Sequence, residues 1–240
     1  VPAIKNEASR FIKNFLDLDV DAANCLPTVG SMQGAFASFM ICGHTNKEKD
    51  TVLFIDPGFP VHKFQTKILG LKMESFDIYE YRGEKLREKL ESIFSTGKIH
   101  SVLYSNPNNP TWVCLTDEEL KIIGELANKY DVIILEDLAY FGMDFRKDYS
   151  HPGVAPFQPT VGKYTDNYIL MLSTSKAFSY AGERCAVLGI SNKLAERRYP
   201  DLKEFCGQEI FARGIIFGAL HPLSSGTSHS AQYADRKSVV

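Results

Sequence analysis

Five polar side chains in this sequence stand at the ends of apolar runs that are typical of buried strands. They supply an amine, a guanidinium, an amide, a carboxylic acid and a phenol: Lys176, Arg184, Asn109, Asp137 and Tyr140. The carboxyl ends of parallel strands meet at one edge of a sheet, and ligands bind there. A lysine amine can form a Schiff base with an aldehyde, and an arginine can bind a phosphate through two hydrogen bonds. The residue types therefore predict a site for a cofactor that carries an aldehyde and a phosphate.

These residues occur in four motifs whose order resembles that of the class I and II aminotransferases, which are fold type I enzymes that use pyridoxal 5′-phosphate (PLP). The motifs are N-P-x-N-P-T at 106–111, D-L-A-Y at 137–140, S-x-S-K at 173–176 and an arginine eight residues after the lysine. Each motif alone is a weak signal, but four in this order are specific. The resemblance covers about 28–190 and implies transfer of an amino group between an amino acid and a 2-oxo acid through a Schiff base on Lys176.

The resemblance also implies a role for each residue that contacts the cofactor ring. Lys176 would be the covalent anchor and would then move a proton to and from the substrate Cα. Asp137 would pair with the pyridine nitrogen and keep the ring protonated, so that the ring accepts carbanion electrons. Tyr140 and Asn109 would bind the phenolic oxygen of the cofactor. Phe59 aligns with the aromatic residue that stacks on the ring.

A second group of residues is implied to bind the phosphate. Ser173 and Arg184 match the hydroxyl and the guanidinium of the family site. The glycine turn at 29–34 matches the turn before a helix, where the backbone N–H groups of Ser31 and Met32 would face the phosphate. Taken singly, each such residue could equally be structural, since Asn and Asp are common in turns and Tyr140 could pack beneath a loop. The assignment depends on the set.

Three features bear on how closely the chain follows the family pattern. His62 lies where some relatives place a histidine behind the acid that binds the pyridine nitrogen, although a packed or solvated histidine explains it equally well. Trp112 replaces the glycine that usually follows the threonine of the Asn/Pro motif, so we expect the turn beyond Thr111 to differ. The late arginine with which relatives bind the substrate carboxylate is not found. We therefore expect a fragment, a large PLP-binding domain without the C-terminal small domain and the extreme N-terminus.

Composition narrows the class of protein. The chain has 240 residues, 44% of them hydrophobic and 23% charged, with a net charge of −2. This balance gives no basic surface for nucleic acid or an anionic membrane, and no apolar stretch is long enough to cross a bilayer. The five cysteines are scattered without C-x-x-C spacing, which indicates reduced thiols and a cytoplasmic protein. The family resemblance further implies a homodimer.

The order of predicted elements indicates an α/β fold. Apolar runs predict strands at 51–56, 72–78, 101–105, 132–136, 168–172 and 186–190. Helical spacing of apolar residues alternates with them, and a capping box at Thr116 opens one of these helices. The pattern predicts a mostly parallel sheet with helices on both faces, a three-layer α/β/α single domain over 1–240. The resemblance makes this the large domain of an aspartate aminotransferase-like fold. The tail after His221 shows no clear period.

Several rival functions remain open at this point. The segment 173–176 also fits the S-x-x-K motif of β-lactamases, but its partner motifs are absent and the parallel α/β pattern does not suit that fold. A nicotinamide-binding G-x-G-x-x-G motif is absent. Carbon–sulfur lyases and related eliminases share the PLP motifs. Some transcription regulators carry a non-catalytic aminotransferase-like domain that senses PLP, beside a DNA-binding module that is not recognisable here.

Overall fold

The strands form a single sheet in the computed structural model, which describes residues 1–238. The described chain contains β1 (Cys25–Val29), β2 (Thr51–Asp56), β3 (Lys72–Asp77), β4 (Ile99–Ser105), β5 (Ile133–Asp137), β6 (Tyr168–Ser173) and β7 (Cys185–Ile190). Their order across the sheet is β1-β7-β6-β5-β4-β2-β3. All neighbouring strands are parallel except that β7 runs antiparallel to both β6 and β1. The predicted mostly parallel sheet is confirmed.

Helices connect the strands and extend beyond the last of them. They are α1 (Pro2–Leu16), α2 (Gly30–Cys42), α3 (Val61–Ile68), α4 (Glu84–Phe94), α5 (Asp117–Tyr130), α6 (Thr174–Ala177), α7 (Asn192–Glu196), α8 (Pro200–Cys206), α9 (Phe211–Arg213), a π-helical turn (Gly214–Leu220), α10 (His221–Ser224) and α11 (His229–Ser238). None of the helices in the described part of the chain combines the length and the apolar character that crossing a membrane requires.

Two apolar layers, one on each face of the sheet, form the core. Alternate residues of a strand point to opposite faces, so Leu53 and Ile55 pack with α1, α4 and α5. Val52 and Phe54 pack with α2, α8 and α9 on the other face. Because both faces are covered, the central strands are buried along almost their whole length and are mostly apolar. The three-layer α/β/α architecture predicted from the sequence is confirmed.

Most predicted elements agree with the structure to within two residues. All six predicted strands are present, as β2 to β7, and helix α5 begins at the predicted capping box. There the backbone N–H of Glu119 donates to the Thr116 hydroxyl (3.1 Å), while the N–H of Thr116 donates to the Glu119 carboxylate (3.0 Å). The segment 150–165, whose prolines and glycines favour a loop, is irregular apart from one 3-10 turn at Val161–Lys163. Local sequence patterns thus determine the central elements.

Strand β1 and the C-terminal helices were not predicted. Pro27 weakens the strand signal of β1, but this strand lies at the edge of the sheet, where a missing N–H is tolerated. The expectation that the tail after His221 lacks regular structure is wrong. Helix α11 packs against α1, with Ala231 fully buried and the Val1 amino group bound to the Gln232 side chain (2.9 Å). This tertiary packing stabilises a helix that periodicity alone does not indicate.

Candidate active site

The carboxyl ends of the central parallel strands lie side by side at one edge of the sheet. Ser105 at the end of β4 is paired in register with Asp137 at the end of β5. Asp137 is paired in turn with Met171 of β6, two residues before that strand ends. Lys176 lies in α6, directly after β6. The loops that carry Asn109, Tyr140 and Lys176 therefore begin at the same edge.

The antiparallel direction of β7 brings Arg184 to this edge. Ser173 at the end of β6 pairs with Ala186 at the start of β7, so the residue before β7 lies beside the residues after β6. Strand β1 ends at the same place, because its Val29 pairs with Cys185. The backbone N–H of Gly30 then donates to the Arg184 carbonyl (2.8 Å). An arginine before a strand and a lysine after one therefore reach a common site.

A cavity of about 230 Å³ lies at this edge. Its lining includes all nine residues predicted to contact a cofactor: Ser31, Met32, Phe59, Asn109, Asp137, Tyr140, Ser173, Lys176 and Arg184. These residues come from widely separated segments of the chain, and His62 joins them in the wall. Four further residues of the lining were not predicted from the sequence: Ser105, Ala139, Ser175 and Ala181.

One end of the cavity is built to accept an anion. Helix α2 begins at Gly30, and the residue before it, Val29, provides no side-chain cap for the first turn. The N–H groups of that turn therefore lack a side-chain acceptor, at the positive end of the helix dipole. Gly30 has φ of +67°, and a Cβ atom there would lie 2.4 Å from Nη2 of Arg184. Only glycine allows both the turn and the close approach of the guanidinium.

The other end of the cavity carries the carboxylate of Asp137, which packs against neighbouring residues. Asp137 is only 6% exposed, and its Oδ1 accepts the backbone N–H of Ala139 (3.0 Å). His62 is buried, and its Nε2 lies 3.7 Å from Oδ2 of Asp137, beyond direct hydrogen-bond distance. The side chain of His62 is thus packed, not solvated, and it lies directly beside Asp137. The ring of Phe59 packs edge-on against His62, with centroids 5.8 Å apart.

The two cations of the cavity have no acidic partner. In the part of the chain that the structure describes, neither Lys176 nor Arg184 forms an ion pair with a carboxylate. The guanidinium of Arg184 donates to the Ala181 carbonyl (2.7 Å), and Nζ of Lys176 lies 5.9 Å from the centre of the Tyr140 ring. The donors that an amine-reactive, phosphate-bearing ligand requires therefore remain available for binding.

Two positioning contacts were missed from the sequence. Gln65 links the two ends of the cavity: its amide donates to the Met32 carbonyl (2.8 Å), and its Oε1 lies 3.3 Å from Nδ1 of His62. The spacing of His62 and Gln65 on one helix face was the only available signal. The second contact lies between the rings of Trp112 and Tyr140, whose centroids are 5.5 Å apart. No local pattern predicts it.

A model of the aminotransferase class I and II family matches residues 1–226. The chain belongs to this family. Enzymes of the family use PLP, and the observed cavity fits that cofactor. The uncapped first turn of α2 and the guanidinium against Gly30 suit its phosphate, the nearly buried Asp137 suits its ring nitrogen, and Lys176 has a free amine.

Comparison with individual proteins agrees with the family assignment. The chain is 28% identical over 194 residues to a probable aspartate aminotransferase of Methanocaldococcus jannaschii, covering 81% of this chain and 48% of the relative. It is 28% identical over 197 residues to a glutamate-pyruvate aminotransferase of Escherichia coli, covering 80% of this chain and 45% of that protein. The chain thus spans about half the length of the curated relatives it matches.

Comparison of three-dimensional structures gives the same fold. The crystal structure of an aminotransferase from Mycobacterium tuberculosis superimposes with a TM-score of 0.76 at 18% identity. That match covers 100% of this chain and 55% of the other. The aspartate aminotransferase-like fold predicted from the sequence is therefore confirmed.

Proposed function

We propose that this chain is the PLP-binding part of an aminotransferase that moves an amino group between an amino acid and a 2-oxo acid. One observation carries the proposal. Nine residues predicted from separate sequence motifs line a single cavity at the carboxyl edge of the sheet. Membership of the aminotransferase class I and II family supports the reaction type.

The residues would hold the two ends of PLP differently. Arg184, Ser173 and the first turn of α2 would bind the phosphate, since the guanidinium and the N–H groups supply charge-assisted hydrogen bonds. Asp137 would bind the pyridine nitrogen, with His62 packed beside it. Phe59 would cover the ring, and Asn109 and Tyr140 would donate to its phenolic oxygen. When bound, the cofactor supplies an aldehyde that links to an amine and a ring that withdraws electrons from the substrate Cα.

Three residues of this chain would hold or move a proton in the proposed reaction. Nζ of Lys176 would hold the cofactor and would serve as the base that takes the proton from the substrate Cα. The carboxylate of Asp137 would keep a proton on the ring nitrogen. The hydroxyl of Tyr140 would donate to the phenolic oxygen and stabilise negative charge there, which would lower the pKa of the nitrogen of Lys176 when the cofactor is bound to it.

The organisation of the complete protein is also a proposal. We assign residues 1–240 to the large domain, which agrees with a chain that covers about half of its relatives. The family resemblance supports a homodimer, with the substrate carboxylate held by an arginine from a second domain. A cytoplasmic location is supported by the cysteines, all five of which are free.

Absorbance spectroscopy tests the proposed reaction. PLP is added to the purified protein, its spectrum is recorded, and single amino acids are then titrated with and without a 2-oxo acid. An aminotransferase converts the bound cofactor only with the matching amino acid and recovers it when the 2-oxo acid is added. The Lys176→Ala variant is the matched control and should show neither change. Release of ammonia with the cofactor regenerated in the absence of a 2-oxo acid would instead indicate a lyase, and cofactor binding without any conversion by the complete protein would indicate a sensor domain.

A further inference from the structure

Trp112 adopts a backbone conformation that disfavours its own side chain. Its φ is +61°, in the left-handed region, which glycine adopts easily and bulky residues adopt rarely. The surrounding loop fixes this conformation through Asn108. The N–H of Trp112 donates to the Asn108 carbonyl (2.9 Å), and the N–H of Asn108 donates to the Val113 carbonyl (2.9 Å). The turn is therefore one that glycine would adopt more easily, and the indole ring is present despite the strain.

The indole ring contacts a wall of the candidate active site. The rings of Trp112 and Tyr140 are 5.5 Å apart at an interplanar angle of 69°, which is the favourable edge-to-face arrangement. Tyr140 lines the cavity, and Nζ of Lys176 lies 5.9 Å from the centre of its ring. Trp112 itself is 46% exposed, so filling the protein core does not explain it.

Nothing else in the described residues holds the Tyr140 side chain in the same way. Among the side chains that the structure describes, its hydroxyl has no hydrogen-bond partner and its ring has no aromatic neighbour other than Trp112. The indole is thus the aromatic ring that packs against Tyr140, on a ring that Nζ of Lys176 also approaches. Strain retained beside a functional side chain is a known feature of active sites.

We propose that Trp112 is a positioning residue that fixes the Tyr140 ring against the cavity so that its hydroxyl meets the bound cofactor. This inference rests on the proposed function for the role of Tyr140. The contact between the two rings is independent of that function. The test therefore has one part without PLP and one part with it.

The first part uses the apoprotein and the fluorescence of its tryptophan. Trp112 is the only tryptophan of the chain, so tryptophan emission reports on this position alone. Replacing the partner ring (Tyr140→Leu) should raise the acrylamide quenching constant about twofold, because the indole loses a covering neighbour. The Tyr140→Phe variant keeps the ring and should match the wild type, as should Tyr233→Leu, which changes an exposed tyrosine of α11. Equal quenching in Tyr140→Leu and the wild type would overturn the proposal.

The second part measures the pH midpoint of the absorbance change of bound PLP. The Trp112→Gly variant removes the indole while keeping the backbone turn, since glycine accepts a positive φ. We expect its midpoint to rise by roughly half a pH unit, as the Tyr140 donor is held less firmly. Trp112→Phe should stay near the wild type. Tyr140→Phe should raise the midpoint further, and adding Trp112→Gly to it should cause no additional shift.

The outcomes separate the two claims. A wild-type midpoint in Trp112→Gly, or fully additive shifts in the double variant, would show that Trp112 does not act through Tyr140. If the wild type takes up no PLP on Lys176, the proposed function fails. The apoprotein fluorescence then still decides whether Trp112 holds Tyr140.

Discussion

The parallel strands end at the carboxyl edge of the sheet and begin at its amino edge. Both edges carry a lysine and an arginine, but these side chains make different contacts. At the carboxyl edge, Lys176 and Arg184 line a cavity of about 230 Å³ and have no carboxylate partner among residues 1–238. At the amino edge, Lys49 and Arg197 line a larger cavity of about 350 Å³. There Arg197 binds both oxygens of Asp131, at 2.5 and 2.7 Å. Lys49 donates to the backbone carbonyls of Tyr130 and Asp131 (2.8 and 2.5 Å).

This difference separates side chains that are available for binding from those that stabilise the fold. Burial lowers the pKa of Lys49, and its hydrogen bonds to carbonyl oxygens compensate for the lost water. Burial raises the pKa of Asp131, but the Arg197 guanidinium outweighs this effect and leaves it below its ordinary value. Burial also lowers the pKa of His100, in the same cavity, to about 3, so that this histidine is neutral. Of these two cavities, the one with the unpaired cations is the smaller, so cavity volume alone does not identify the site. The presence of unpaired cations selects the carboxyl edge.

The largest expected effect comes from removing one lysine at each edge. Lys176→Ala should abolish covalent PLP binding and amino-group transfer, because no other amine lines that cavity. Its free energy of unfolding should change by less than about 0.5 kcal/mol, since Lys176 forms no ion pair with the residues that the structure describes. Lys49→Ala should bind PLP normally but lose about 1 kcal/mol of stability with its two hydrogen bonds. Absorbance titration and urea unfolding of both variants measure the two effects. If both variants lost PLP binding, or if both lost only stability, the distinction between the two edges would be wrong.

The carboxyl group of Glu136 tests how burial alone affects protonation. Among the described residues it has no cationic partner, and it lines neither of the two cavities. Glu136 of β5 is fully buried, and burial raises its pKa to about 7 despite hydrogen bonds from Thr160 and the Val161 N–H. Between the ordinary pKa of 4.5 and about 7, the folded state keeps a proton that the unfolded state releases. The free energy of unfolding should therefore fall as pH rises through this window, by up to about 3 kcal/mol from this group.

The substitution Glu136→Gln isolates this contribution. A glutamine keeps the size of the side chain but does not titrate, so its loss of stability between pH 5 and pH 8 should be smaller than that of the wild type. Urea unfolding at several pH values provides the measurement. Parallel curves for the two proteins would mean that Glu136 titrates normally in the folded state.

Matched arginine variants give a smaller expected effect and sharpen the same comparison. Arg184→Gln should weaken PLP binding roughly ten- to a hundredfold, since hydrogen bonds to a charged group contribute about 1.5–3 kcal/mol. Arg197→Gln should leave PLP affinity unchanged and lower stability by about 1 kcal/mol, because it breaks a partly exposed ion pair with Asp131. Equilibrium PLP binding and thermal unfolding should be measured for both. If Arg197→Gln weakened PLP binding as strongly as Arg184→Gln, the amino edge would also contribute to cofactor binding.

The sequence predicted the strands and the side chains after them, but not how they meet. Burial on both faces leaves a local trace in β2 and in β4 to β7, whereas the edge strand β3 is mostly exposed. The edge strand β1 and the antiparallel direction of β7 leave none, although together they bring Gly30 against Arg184. The resemblance supplied the nine cavity residues, since each belongs to a short motif. The contacts of Gln65 with Met32 and of Trp112 with Tyr140 join distant segments and were visible only in three dimensions.

Chemical trapping of the cofactor tests the central claim most directly. The wild-type protein is incubated with PLP, reduced with borohydride and digested, and the modified peptide is identified by mass spectrometry. The unpaired amine of the carboxyl edge predicts a pyridoxyl group on Lys176 and none on Lys49. An adduct on another lysine, or no adduct at all in a folded protein, would contradict the assignment of this cavity as a PLP site.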